Sequence, residues 1–158
     1  MQILSPIPDP FLPAAGRLWW RHFGVPLMRP RGFAAANGAV ALLGGQVAGV
    51  IGWRDHRGGF LQGGTGLALC LYRPAPPTAD LVIDGIAVAC RRKGLGRALI
   101  ARAGAEAQTR HRPGLRAEVS LRNAAALAFY RDLGFYEQGR GRFGWPWSGQ
   151  VLLMVRPL

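Results

Sequence analysis

The sequence predicts a mixed α/β fold, a sheet flanked by helices, from three observations in its second half. A β-branched apolar run at Leu81–Val88 predicts a buried strand, and a glycine-containing segment and a helix beginning near Leu95 follow it. A strand predicted over residues 115–121 leads into a helix over 123–133. An apolar run at 150–155 predicts the closing strand. Strands and helices in this order indicate an α/β or α+β sheet.

The first half of the chain is less regular. Apolar residues near a 3.6-residue spacing predict a helix over residues 10–23. Two strands, 39–43 and 46–53, are predicted around a Gly44-Gly45 turn. These strands lie within an uncharged stretch, 32–53, that is long enough on paper to cross a bilayer. Its six glycines lower its helix propensity, so the hairpin is the preferred prediction.

The two helices of the second half carry their own boundary signals. Apolar residues mark one face of the first helix, and Pro113-Gly114 ends the connection that follows it. Asn123 is a suitable N-cap for the second helix, and Gly134 is a suitable residue just past its end. Phe135 then begins another extended segment.

Length and charge limit the kinds of protein that the sequence can encode. The 158 residues are about the length of one domain, and no repeat or linker divides them, so we expect residues 1–158 to form a single domain. Twenty basic residues against eight acidic ones give a formal net charge of +12, and Lys93 is the single lysine. This excess reflects either a GC-rich genome or a polyanionic ligand, and it does not choose between a nucleotide cofactor and nucleic acid.

The two cysteines, Cys70 and Cys90, argue against a metal or disulfide framework. They lie twenty residues apart without a CxxC pair, so no zinc ligand set is available and we expect no metal site. A reducing cytoplasm fits this cysteine usage best. Residues 1–10 have no basic segment of the kind that opens a secretory signal, and we expect neither secretion nor a membrane association.

A candidate phosphate-binding loop joins the strand at Leu81–Val88 to the helix that follows. Its pattern is Arg91-x-x-Gly94-x-Gly96. Glycines let a backbone approach a ligand closely, and the free N–H groups of a helix start favour a phosphate or pyrophosphate. A glycine turn with solvated basic side chains would show the same pattern. The pattern is not a Rossmann fingerprint, because Leu99 stands where glycine or alanine is required, and no P-loop run occurs.

A second motif lies about thirty residues further on, where Asn123, Tyr130 and Gly134-Phe135 stand in the pattern N-x-x-A-x-x-x-Y-x-x-x-G-F. Together with the preceding strand, R-x-x-G-x-G loop and helix, this pattern resembles the GNAT superfamily of acyl-CoA-dependent N-acetyltransferases. The resemblance covers residues 81–136. It implies a central, mainly antiparallel sheet, splayed where the strands at 81–88 and 115–121 part around coenzyme A.

The resemblance also implies roles for individual residues. The loop would bind the pyrophosphate of acetyl-CoA, the strand before it would hydrogen-bond the pantetheine arm and polarise the thioester carbonyl, and Tyr130 would protonate the departing thiolate. The implied cofactor-binding residues are Ile86, Ala87, Val88, Arg91, Arg92, Lys93, Gly94, Leu95, Gly96, Arg97 and Asn123. The junction between strand and loop is two residues shorter than in the family pattern. Either the loop is shortened or Ile86 takes the place of the family valine. The resemblance therefore does not identify which main-chain N–H polarises the thioester carbonyl.

Two carboxylates are candidates for the general base. Asp84 interrupts an apolar strand, where an unpaired carboxylate is costly and burial could raise its pKa, and strict alternation places it on one face with Ile86 and Val88. Asp84 could equally pair with an arginine or fix the neighbouring glycine turn. Glu118 is the second candidate, with a solvated strand carboxylate as its alternative. A water relay could replace both.

We therefore expect an acetyltransferase that moves the acetyl group of acetyl-CoA to a primary amine by direct attack. The acceptor is open between small molecules and peptides, although the net charge disfavours polyamines. The alternatives are a basic nucleic-acid-binding module and a coenzyme-A-binding protein without catalysis. Nucleic acid is disfavoured, since the arginines are spread along the chain without a recognised motif. A homodimer is compatible with the family.

Aromatic residues could line the acceptor cleft. The resemblance places the first helix and the late chain beside that cleft, where the sequence has Trp19, Trp20, Trp145 and Trp147. Ordinary core and hairpin packing is the alternative.

Overall fold

A computed structural model describes residues 1–25, 29–30, 32–65, 67–90 and 92–158, and within them the chain forms an eight-stranded sheet, a two-stranded sheet and three α-helices. The strands are β1 (Gln2–Leu4), β2 (Arg29–Pro30), β3 (Gly38–Leu43), β4 (Gln46–Asp55), β5 (Gly58–Gly59), β6 (Gly64–Thr65), β7 (Leu81–Val88), β8 (Gly114–Ser120), β9 (Tyr136–Gly141) and β10 (Val151–Pro157). The helices are α1 (Leu12–Phe23), α2 (Leu95–Thr109) and α3 (Ala124–Asp132).

The large sheet has the strand order β1-β3-β4-β7-β8-β10-β9, with β5 paired to β4. Its pairs are antiparallel except for β7 and β8, which run parallel. The short strands β2 and β6 pair with each other. The predicted mixed fold with a mainly antiparallel sheet is confirmed.

The parallel pair β7 and β8 separates after three residue pairs. Leu81, Val82 and Ile83 face Leu115, Arg116 and Ala117, and the two strands have no pairing beyond this point. Each strand nevertheless stays paired to its other neighbour, β7 to β4 as far as Val88 and β8 to β10 as far as Ser120. The separation is therefore an opening between two ordered strands, and the splay that the resemblance implies is confirmed.

A β-bulge lies at the point where the opening begins. On β4, Trp53 pairs with Ile83 and the preceding residue, Gly52, pairs with Gly85, so Asp84 is the extra residue on β7. A bulge changes which face the following side chains take. Leu81 and Ile83 thus share one face with Ile86 and Val88, whereas Asp84 contacts residues on the other face. The expectation that Asp84 shares a face with Ile86 and Val88 is wrong, because strict alternation cannot register an extra residue.

The two faces of the sheet carry different helices. On one face α2 packs on β3, β4, β7 and β8, and α3 joins the same core, which includes Leu99, Ala103 and Leu127. On the other face α1 packs through Ala15 and Trp19. The C-terminal residue of α1, Phe23, lies against Gly85, where an added Cβ would be 2.6 Å from the ring. The missing side chain at Gly85 therefore lets α1 approach the bulge of β7.

Several element predictions are confirmed with small shifts at their ends. The helix predicted over 10–23 begins as a 3₁₀ turn at Asp9–Phe11 and continues as α1. The hairpin predicted within 32–53 is formed by β3 and β4, and no helix in the described part of the chain is long and apolar enough to span a bilayer. The segments predicted over 115–121, 123–133 and 150–155 correspond to β8, α3 and β10.

Candidate active site

The predicted phosphate loop connects the end of β7 to the start of α2. Gly94 is the N-cap of α2, with a φ of 72°, and the exposed Arg92 before it has a φ of 62°. The first intrahelical hydrogen bond runs from Ala98 N–H to the Gly94 carbonyl at 3.0 Å, so the three preceding helical N–H groups have no partner within the helix. Arg91 lies outside the described residues. N–H donors without intrahelical partners at a helix start suit a phosphate group.

The two glycines of the loop serve different purposes. Gly94 needs its positive φ, and a Cβ there would meet nothing within 4 Å. Gly96 leaves room for α3, because a Cβ there would lie 3.0 Å from the Phe129 ring. Leu95 is buried in the core, whereas Lys93 and Arg97 are exposed.

The open edge of β7 and the start of α3 lie at the same end of the opening as this loop, because the carboxyl ends of parallel strands meet at one sheet edge. On β7, Ile86 and Val88 are half-buried and Ala87 is buried against the α1 face. At the end of β8, Asn123 caps α3, its Oδ1 accepting the Ala126 N–H at 3.1 Å. The cap is as predicted, and a contact of Asn123 with pantetheine stays a prediction.

Tyr130 lies on α3 and is buried. Its ring packs between Phe129 and Phe135, with centroid separations of 5.3 and 5.0 Å. Burial raises the pKa of the Tyr130 hydroxyl well above the ordinary tyrosine value. The hydroxyl therefore keeps its proton at neutral pH, which is the state that a general acid requires.

Asp84 and Glu118, the carboxylate pair, follow the last paired residues of β7 and β8 and meet on one guanidinium. Arg54 of β4 donates through Nη1 to Asp84 and places Nη2 3.0 Å from Glu118 Oε1. Burial raises the pKa of Asp84, and the charge and hydrogen bond of Arg54 oppose this shift. Arg116 Nη2 also donates to Glu118 Oε1, at 2.7 Å. The pairing of Asp84 with an arginine, left open by the sequence, is present, and Glu118 is ion-paired rather than solvated.

Three aromatic residues, the aromatic shelf, extend from this cluster. The rings of Trp145 and Trp147 stack at 5.4 Å with a 3° interplanar angle, and Tyr72 meets Trp145 edge-on at 5.1 Å. Burial raises the pKa of Tyr72, and the charges of Arg54 and the carboxylate pair also act on it, so Tyr72 lies within electrostatic range of them. Trp147 is 53% exposed.

The tryptophans of α1 lie elsewhere. Trp19 is buried in the core against Phe23, Phe33 and Phe60, which is the packing alternative. Trp20 lines an open groove of about 490 Å³ on the outside of α1, together with Phe33.

Sequence reasoning missed Arg54, Arg116 and Tyr72. Arg54 is the first charge after the uncharged stretch 32–53, and Arg116 interrupts the apolar alternation of β8, which are the signals that could have marked them. Their partners are distant in sequence and could not be identified without the fold. In the part of the chain that the structure describes, no three His, Cys, Asp or Glu side chains come together as a metal site requires.

A splayed sheet with a free helix start at its opening can accommodate an extended ligand that carries a phosphate group. Comparison with known proteins gives the class. Residues 5–135 match the sequence model of the Acetyltransferase (GNAT) family, and the chain therefore belongs to this family of acyl-CoA-dependent acetyltransferases. A comparison with curated proteins gave no match.

Solved structures support the same fold. The ribosomal-protein-S18-alanine N-acetyltransferase of Escherichia coli is 23% identical, with a TM-score of 0.61 over 99% of this chain and 92% of that one. A ribosomal-protein-alanine N-acetyltransferase of Brucella melitensis is 26% identical, with a TM-score of 0.53 over 77% and 68% of the two chains. A Bacillus anthracis protein provisionally assigned as a streptothricin acetyltransferase, solved with acetyl coenzyme A, is 20% identical, with a TM-score of 0.55 over 89% and 68%.

Proposed function

We propose that this protein transfers the acetyl group of acetyl-CoA to a primary amine. The observation that carries the proposal is the opening between β7 and β8, which begins at the carboxylate pair and ends at the free start of α2. An extended thioester can lie along the edge of β7 with its phosphates at α2. Its acetyl group then faces the carboxylate pair.

The phosphate loop would hold the coenzyme. The N–H groups of Leu95, Gly96 and Arg97 would bind the pyrophosphate, with charge from Arg91, Arg92, Lys93 and Arg97. The backbone of Ile86, Ala87 and Val88 would hydrogen-bond the pantetheine arm, and Asn123 would contact it through its side-chain amide. These backbone groups support the proposal because, among the described residues, the β8-facing edge of β7 has no strand partner along the opening.

The transfer is a direct displacement. The amine nitrogen attacks the thioester carbon, a main-chain N–H of β7 stabilises the oxyanion, and the C–S bond breaks as the carbonyl reforms. A base takes one proton from the amine. Tyr130 gives its proton to the departing thiolate as the C–S bond breaks.

We assign the base to the carboxylate pair, with Glu118 preferred to Asp84. Both arginines contact Oε1 of Glu118, and no described residue is hydrogen-bonded to its Oε2. The carboxylate of Asp84 instead lies between Arg54 and the backbone of β5, where an added Cβ on Gly59 would be 3.0 Å from Oδ2.

We expect Glu118→Gln to lower kcat about 100-fold and Asp84→Asn to lower it less. A larger loss of kcat in Asp84→Asn than in Glu118→Gln would assign the general base to Asp84. Small losses of kcat in both variants would indicate a water relay.

The acceptor is a primary amine on a peptide or a small molecule. An alanine of a ribosomal protein is the acceptor named for two of the similar structures, and streptothricin is named for the third. The charge of +12 disfavours polycationic acceptors, so we favour neutral or acidic ones. The aromatic shelf would contact the part of the acceptor next to the amine.

Both cysteines, Cys70 and Cys90, are free and exposed. Free thiols persist in a reducing compartment, and we propose a cytoplasmic location on that basis.

Calorimetric titration with acetyl-CoA tests the cofactor, with ATP and a short DNA duplex as controls at two salt concentrations. We expect selective, salt-tolerant binding of acetyl-CoA, followed by thiol release when amines are added. Binding to DNA alone, and only at low salt, would instead support the basic binding module. Binding of acetyl-CoA without transfer to any amine of a broad panel would indicate a protein that has lost catalysis.

A further inference from the structure

Arg54 occupies a position that the family pattern does not explain. It comes from β4, two strands away from β8, and reaches both members of the carboxylate pair at the vertex of the opening. We propose that Arg54 is a positioning residue, whose two-pronged contact with Asp84 and Glu118 fixes the Glu118 carboxylate for proton transfer from the acceptor amine. The inference rests on the proposed function.

The place of the carboxylate pair makes such a bridge necessary. Asp84 and Glu118 follow the last paired residues, Ile83 and Ala117, so the strands that carry them are beginning to part. Like charges on neighbouring strands repel each other, and here no ladder hydrogen bonds oppose the repulsion. A guanidinium offers two donors in a rigid fork, so one side chain can hold two carboxylates at a fixed separation.

The two arginines that contact Glu118 differ in how firmly they are held. Arg116, two residues before Glu118 on β8, is buried and also donates to the Pro76 carbonyl at 2.7 Å, which fixes its position. Arg54 has a side chain that is 34% exposed, so it lies on the solvent-facing side of the cluster. Two carboxylates and two guanidinium groups, with the phenol of Tyr72 beside them, leave the cluster without net charge.

Removing Arg54 would change both geometry and charge. The cluster would become net negative, and Asp84 would lose the ion pair that opposes its burial. A carboxylate without its cationic partner binds a proton more tightly, so the carboxylate pair would reach full ionisation only at higher pH. The phosphate loop follows Val88, at the far end of the opening, and its contacts would not change.

The test compares Arg54→Gln and Arg54→Lys with the wild type, using an amine that the transfer assay has shown to be an acceptor. Arg102→Gln is the matched control, because Arg102 is also ion-paired to a carboxylate, Glu106, and its side chain is 30% exposed. The measurements are kcat, KM for acetyl-CoA, the pH dependence of kcat/KM, and the thermal midpoint.

We expect Arg54→Gln to lower kcat at least about tenfold, with KM for acetyl-CoA unchanged. The acidic limb of kcat/KM should move to higher pH by about one unit. Arg54→Lys should return the limb towards the wild-type position but recover kcat only in part, because an ammonium lacks the fork. Arg102→Gln should match the wild type.

Wild-type kinetics in Arg54→Gln would overturn the inference, and so would a loss of kcat with an unmoved pH profile, which a purely structural role would give. If Arg54→Gln does not fold, Arg54→Lys provides the test. Wild-type kcat in Arg54→Lys would show that the two-donor geometry of the guanidinium is not needed, which would also overturn the inference. A wild-type protein that acetylates no amine refutes the proposed function itself, and the inference falls with it.

Discussion

At the scale of single residues, Tyr130 gives the most direct test of the chemistry. Tyr130→Phe removes the hydroxyl and keeps the ring between Phe129 and Phe135, so the packing of α3 should survive. We expect kcat to fall about 100-fold or more, as for loss of a general acid, with little change in the Kd of acetyl-CoA. Steady-state kinetics and calorimetry measure these two quantities separately.

The control for this change is Tyr136→Phe, because Tyr136 is 54% exposed on β9. It should leave kcat unaltered. The raised pKa of Tyr130 also predicts that the wild-type rate does not fall through deprotonation of this hydroxyl below about pH 10, the ordinary tyrosine pKa. An unchanged kcat in Tyr130→Phe would remove the general-acid role, and an equal loss of acetyl-CoA affinity would indicate a packing role instead.

At the scale of elements, the start of α2 depends on the backbone of Gly94. Gly94→Ala places a side chain at a φ of 72°, which costs about 1 kcal/mol of unfolding free energy. Because the same backbone would face the pyrophosphate, we expect the Kd of acetyl-CoA to rise about tenfold. Calorimetry with acetyl-CoA and chemical denaturation measure the two effects.

Gly45→Ala separates strain from binding. Gly45 in the β3–β4 turn has a φ of 76°, and, as at Gly94, a Cβ there would meet nothing within 4 Å. The two variants should lose similar stability, and only Gly94→Ala should lose affinity. Equal affinities would mean that the loop between β7 and α2 does not contact the coenzyme.

The aromatic shelf predicts an effect confined to the acceptor. Trp147→Ala removes the most exposed ring of the shelf, and we expect KM for the acceptor to rise about tenfold, the effect of losing one well-placed aromatic contact. KM for acetyl-CoA should stay constant. Tyr136→Ala is the matched control, with an exposure of 54% against 53% for Trp147. If KM for the acceptor is unchanged in Trp147→Ala, the shelf does not contact the acceptor.

The same elements show what the sequence could and could not predict. The strand Leu81–Val88 and the cap at Asn123 were predictable, because a continuous apolar run and a capping side chain act locally. The bulge at Asp84 was not, since it exists only in the register with β4. Arg54 was missed for the same reason, because Asp84 lies thirty residues away along the chain. Short strands such as β5 and β6, two residues each, have too little pattern to detect.

At the scale of the whole molecule, one buried ion cluster ties the first half of the chain to α2. Asp55, at the end of β4, has a buried side chain that accepts the Arg57 N–H at 2.8 Å and lies 3.3 Å from both Arg110 and Arg112. Arg110 also donates to Asn37 Oδ1 and to Glu106. Burial raises the pKa of Asp55, but the two hydrogen bonds and the guanidinium charges outweigh burial, and this pKa lies below its ordinary value.

Asp55→Asn should therefore destabilise the protein by about 2 kcal/mol at pH 7, the value of a hydrogen bond to a charged group. A carboxyl whose folded pKa is depressed contributes stability above its unfolded pKa of about 3.9 and loses it as the pH falls through the folded value. The difference between the variant and the wild type should thus be constant above about pH 5 and shrink in more acidic solution. Denaturant unfolding across this range measures it, with the exposed Asp132→Asn as the control. A difference that does not depend on pH would mean that the side chain acts through its shape and not through its charge.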